Sequence, residues 1–133
     1  MLNNTERPFS IFDLVKFQYK FTDPRAIKLN PKLTDVSVNK ARLAHLYEEV
    51  GELGKALKDG DILEVADALA DIVYVAMGSF VVNGLPFDKI MFEVHRANMD
   101  RVPMSTNRTK YDAVKPVGWE PPDLQSIITE FGG

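Results

Sequence analysis

The chain has no cysteine among its 133 residues. Disulfides, thiolate metal sites and cysteine nucleophiles are therefore excluded, and a reducing, cytoplasmic home is expected. It also lacks any excess of positive charge: 16 lysines and arginines stand against 19 acids, a net charge of -3. That balance argues against a footprint on duplex nucleic acid. The N-terminal stretch MLNNTERPFSIF has no basic segment followed by an apolar run and a small-residue cleavage site, so it does not read as a signal peptide. Absent too are a GxxxxGK[ST] loop, a GxGxxG turn, a GxSxG elbow and an HExxH pair. A di-iron bundle would need Glu-x-x-His, and Glu93-Val94-His95 has the wrong spacing. No internal repeat, low-complexity run or linker interrupts the chain, and its length bounds it to a single domain over residues 1–133.

What is present is helical. Phe9, Phe12, Leu14, Val15, Phe17 and Phe21 mark an apolar helix ending near Asp23-Pro24. A second helix starts between Thr34 and Asn39 and runs to Asp59-Gly60, with Leu43, Leu46, Val50, Leu53 and Leu57 as a core-facing stripe. A third spans about Asp61 to Val82; from Val65 onward only Asp67, Asp71, Gly78 and Ser79 are not apolar, which predicts a helix in the middle of a bundle. It is long enough to raise the question of a membrane span, which needs about 20 mostly apolar residues. The two aspartates and the amphipathic neighbours speak against one. A fourth helix runs from Pro86 to about Arg101, then a polar, proline-bearing excursion, then a short apolar segment, LQSIITEF. The expected fold is an all-α bundle of four to five helices.

Charge is concentrated. From Glu48 to Asp71 eight acids face two lysines, and from Val94 to Trp119 five bases face two acids. At about 100° per residue Glu48, Glu49 and Glu52 share one face of the second helix, and Glu64, Asp67 and Asp71 one face of the third. The short Lys58-Asp59-Gly60-Asp61 connection makes these helices antiparallel neighbours. Exposed glutamates on one helix are ordinarily a solvated face, but carboxylates inside an apolar helix need a partner. Oxygen ligands select a hard divalent ion, Mg2+ or Mn2+, and such ions complete their shell with substrate phosphates. The basic tail, with Arg96, Arg101, Arg108, Lys110 and Lys115, suits those phosphates. His45 lies on the carboxylate side of its helix as a minor candidate. The role of His95 stays open.

Glu48-Glu49-x-x-Glu52 followed after eleven residues by Glu64-x-x-Asp67 resembles the EExxE…ExxD signature of the all-α nucleoside triphosphate pyrophosphohydrolases, the MazG-like group. The stretches EVADALADIVYVAMG, NGLPFDKI, VHRANMDRV and VKPVGWEPPDL extend the likeness to compact single-domain members, including those of phages, for which the host cytoplasm would be the compartment. The resemblance implies Mg2+-dependent hydrolysis of nucleoside triphosphates to monophosphate and pyrophosphate, with Mn2+ as an alternative ion. It implies Glu49, Glu52, Glu64 and Asp67 as metal ligands, and Glu48 beside Glu49 in catalysis, joining a further metal or orienting the attacking water. Asp71, Asn98, Arg101, Lys110 and Lys115 would serve the substrate. Two departures stand out: the spacer is short, and the family's GKVLK is YDAVK here, leaving Lys110 to replace a lost lysine. The apolar third helix adds an expected homodimer or dimer of dimers. Two other readings remain: a phosphoribosyl-ATP pyrophosphohydrolase, and a non-catalytic helical module that binds nucleotide or metal.

Overall fold

The computed structural model describes residues 7–133. Their architecture is all-α, as expected: five α-helices and one two-stranded hairpin. The chain, read above as one domain, divides into two compact units, one reaching to Leu85 and the other Pro86–Gly133. Composition bounds how large a core can be, not how contacts partition along the chain.

In the first unit α1 (Ile11–Phe21) is started by a capping box. The Ser10 side chain accepts from the Phe12 N–H, and the Asp13 carboxylate accepts from the Ser10 N–H. Helices α2 (Val36–Asp59) and α3 (Ile62–Val82) form the most extensive packing, and α1 packs on α3. The α2 terminus is a Schellman motif: Gly60 N–H bonds Leu57 O, Asp61 N–H bonds Ala56 O, and Gly60 adopts φ +66°. Asp61 then caps α3 by accepting from the N–H groups of Leu63 and Glu64. Two residues therefore reverse the chain and fix α2 antiparallel to α3.

The core face of α2 is the predicted stripe only in part: Leu46 and Leu53 are half-buried on it. Leu43, Val50 and Leu57 are 52%, 50% and 61% exposed, whereas Glu49 and Ala56 are buried. Of the acids on α2 only Glu49 turns inward, while Glu48 and Glu52 are exposed along with Leu43, Val50 and Leu57. Helix α3 is likewise not a fully buried centre. It buries Ala68, Val75, Met77, Gly78 and Val82 and leaves Ile62, Leu63, Leu69 and Val73 exposed. The buried positions include the small residues Ala56, Ala68 and Gly78, and Gly78 leaves room for the Arg42 and Gln18 side chains. Among the described residues α3 alone is long and apolar enough to cross a membrane, by length and composition only. Its end is tied by Asn83, whose Oδ1 accepts from Thr34 N–H (2.9 Å) and Asn39 Nδ2 (3.0 Å) and whose Nδ2 donates to Asn39 Oδ1 and Ser79 O.

The second unit holds α4 (Phe87–Met99), strands β1 (Val102–Met104) and β2 (Asp112–Val114), and α5 (Leu124–Glu130). The polar, proline-bearing excursion contains an antiparallel hairpin pairing Val102 with Val114 and Met104 with Asp112. The Glu93 carboxylate ties α4 to α5 by taking Arg96 at 2.8 Å and the Asp123 N–H at 3.1 Å.

Candidate functional site

A pocket of about 450 Å³ in the first unit is lined by Phe17, Gln18, Arg42, His45, Glu49, Asp71, Tyr74 and Val75. Arg42 forms much of its polar floor. Its Nε donates to Ser79 Oγ (2.8 Å) and its Nη2 to Val75 O (2.8 Å), while Nη1 lies 3.4 Å from Gln18 Oε1. Burial pushes the Arg42 guanidinium down from its ordinary value. Gly78 makes this arrangement fit: a Cβ there would lie 2.3 Å from Arg42 Nη2 and 2.4 Å from Gln18 Nε2. The apolar wall is Phe17 edge-on to Tyr74, ring centroids 5.0 Å apart.

Glu49 is the buried acid of this pocket, 8% exposed. Its Oε1 lies 3.1 Å from His45 Nε2, and its Oε2 is buried without a hydrogen-bond partner. Burial raises its carboxyl above the usual range, and the neighbouring charges of Glu52 and Asp71 add to the rise. A carboxylate so placed lacks a cation or a donor.

The other predicted acids are spread more widely. Asp71 is half-buried and lines the same pocket as Glu49. Glu52 and Glu64 line a second recess of about 360 Å³ with Lys55, Ala56, Asp59 and Asp61. Glu48 and Asp67 are exposed, although Asp67 sits in a segment expected to be buried. Among the described residues no three acidic or histidine side chains stand close enough to hold one metal ion. The donor chemistry nonetheless fits a hard cation: every predicted ligand offers oxygen, and Glu49, with its orphaned Oε2, feels the charges of Glu52 and Asp71.

In the second unit Asn98 is exposed on α4 and Arg101 follows its end. Arg101 Cζ stands 4.9 Å and Lys115 Nζ 5.1 Å from the ring of Trp119, whose Nε1 donates to Ala97 O at 2.7 Å. Lys110 lies apart, exposed over Tyr111 at 5.7 Å. His95 lines an exposed apolar recess with Met91 and Phe92. Sequence reasoning passed over Gln18, Arg42, Tyr74 and Trp119. The available signal was weak: polar residues inside periodic apolar segments, and a Gly78-Ser79 pair in an apolar helix.

Residues 16–98 match the family described as phosphoribosyl-ATP pyrophosphohydrolase. An uncharacterized protein of Acanthamoeba polyphaga mimivirus is 32% identical over 87 residues, which cover 64% of this chain and 35% of that relative. The aligned stretch thus amounts to about a third of the curated relative's length. The family match takes in Gln18, Arg42, all six candidate carboxylates and Asn98, and stops short of Arg101, Lys115 and Trp119. On that match the chain belongs to the phosphoribosyl-ATP pyrophosphohydrolase family.

Proposed function

We propose that the protein is a cytoplasmic, Mg2+-dependent pyrophosphohydrolase that splits (deoxy)nucleoside triphosphates between the α and β phosphates, releasing a monophosphate and pyrophosphate. The observation that carries this reading is Glu49. A buried carboxylate with an unsatisfied oxygen, flanked by Glu52 and Asp71, calls for a cation, and family membership supports the same chemistry. Glu49, Glu52, Glu64 and Asp67 would hold the ion, Mn2+ substituting for Mg2+. When bound it would offset phosphate charge and lower the pKa of a water. Glu48, open to solvent, orients the attacking water. His45 fixes the Glu49 carboxylate through Oε1 and leaves Oε2 free for the site. Asp71 and Arg42 border the same pocket and orient the substrate's polar groups. Asn98, Arg101, Lys110 and Lys115 contribute donors and positive charge for phosphate. Attack at phosphorus with pyrophosphate leaving needs no covalent intermediate.

The family match favours a second reading, in which the triphosphate is phosphoribosyl-ATP. Both are tested together: the protein is incubated with nucleoside and deoxynucleoside triphosphates and phosphoribosyl-ATP, with Mg2+ or Mn2+. Equal amounts of monophosphate product and pyrophosphate are expected. No turnover of any substrate, orthophosphate as first product, or full activity in both Glu49→Gln and Asp67→Asn would overturn the proposal.

The protein is further proposed to act as a homodimer, alone or as a dimer of dimers. The exposed stripe Leu43, Val50 and Leu57 and the apolar recess formed by Phe9, Leu69, Ala70, Val73 and Tyr74 are what a second copy would cover.

A further inference from the structure

The second unit neutralises three of its six lysines and arginines. Arg96 pairs with Glu93 (2.8 Å) and Asp100 (3.0 Å), Arg108 with Asp112 (2.6 Å) and Lys89 with Glu130 (3.6 Å). Arg101 and Lys115 make no ion pair among the described residues, yet the fold brings them together. The hairpin pairs Val102 with Val114, so Arg101, just before β1, and Lys115, just after β2, flank the same end of it. Like charges held this close repel.

Trp119 is what both cations share. Each stands about 5 Å from its ring, a distance at which the aromatic quadrupole attracts a cation. The indole is itself held at two points. Its Nε1 bonds Ala97 O at the end of α4, and its backbone closes a Pro116–Trp119 turn through Trp119 N–H to Pro116 O at 3.0 Å. Gly118 takes φ +81° at the third position of that turn, as a type II turn requires. Arg101 spends one Nη1 bond on Ala113 O, and its buried Nε has no partner. Two unneutralised cations fixed on one ring, with a guanidinium donor to spare, are complementary to an anion.

We propose that Trp119 is a positioning residue that holds Arg101 and Lys115 as a two-cation clamp for one phosphate group. That the phosphate belongs to the substrate rests on the pyrophosphohydrolase reading; the clamp itself does not. Trp119 is the chain's single tryptophan, so its emission reports on the clamp directly.

In the first experiment the whole chain, with metal removed, is titrated with inorganic pyrophosphate at constant ionic strength while tryptophan emission is followed. A saturable change is expected, and its loss in Arg101→Gln and in Lys115→Gln. An emission that does not move, one that drifts without saturating as it does with chloride, or a Lys115→Gln protein that titrates like the parent overturns the clamp. In the second, Trp119→Ala should raise KM for the hydrolysed nucleotide about tenfold while kcat falls by much less, and Trp119→Phe should recover most of KM by restoring an aromatic face. A KM unchanged in folded Trp119→Ala overturns the positioning role. The first experiment uses the native tryptophan and includes the exposed Lys115→Gln change, so it decides even if Trp119→Ala fails to fold. Saturable pyrophosphate binding without turnover of any nucleotide would uphold the clamp and reject the enzymatic reading.

Discussion

At Glu49 burial and charge act against each other. The carboxylate has one oxygen committed to His45, the other without a partner, and two acids close by. With no cation bound, its ionised form costs the fold stability, because folding raises its pKa and a neutral side chain would be preferred there. Glu49→Gln should therefore melt no lower than the parent in chelator, and higher if the amide keeps the His45 contact. The same change should lower kcat by at least about 100-fold and abolish the rise in melting temperature that Mg2+ gives the parent. Calorimetry with and without Mg2+, beside a pyrophosphate-release assay, checks both halves. A variant that is less stable in chelator and still responds to Mg2+ would assign Glu49 to packing alone.

Element boundaries carry their own consequences. The α2 to α3 reversal rests on Gly60 at φ +66°, with no heavy atom near where a Cβ would lie. Gly60→Ala should thus cost about 1–2 kcal/mol through backbone conformation, not collision. The urea midpoint should fall with an unchanged slope. At the start of α1 the Arg7 guanidinium, 2.6 Å away, and the Ser10 N–H hold the Asp13 carboxyl down from 3.8 to about 2. A carboxyl with a lowered folded pKa adds stability above its unfolded value. That contribution is lost as pH falls from about 4 toward 2. Asp13→Asn should flatten this acid limb while also removing its contribution at neutral pH, as seen in melting temperatures taken across pH 2 to 7. The Asn83 network shows the opposite end of a helix held by a side chain whose Asn-Gly context reads in sequence only as a turn.

For the whole molecule, the apolar surface left outside the first unit is the main observation. Leu69 and Val73 on α3 flank Phe9 and Tyr74, and the α2 stripe is also open. Large contiguous apolar patches on a protein surface mark interaction sites. The parent should elute and scatter light as a dimer or a dimer of dimers, and Leu69→Glu with Val73→Glu should shift it toward monomer. A parent that is monomeric at tens of micromolar concentration would reject the assembly.

Sequence periodicity determined the helices, because the i, i+3, i+4 spacing of apolar residues and the Gly60 and Asn83-Gly84 stop signals are local properties of the chain. Helical spacing at about 100° per residue also predicted shared faces for the carboxylates, yet only Glu49 is buried and Asp71 half-buried, the other four being exposed. Which face of α2 turns inward was decided only by packing. Packing turns Glu49 and Ala56 inward with Leu46 and Leu53, whereas a hydrophobicity pattern reads Leu43, Val50 and Leu57 as part of the core as well. The joining of Gln18, Arg42, Glu49 and Asp71 around one pocket, and of Arg101, Lys115 and Trp119 around one ring, likewise depends on contacts between segments distant in sequence. Local propensity carries no term for them.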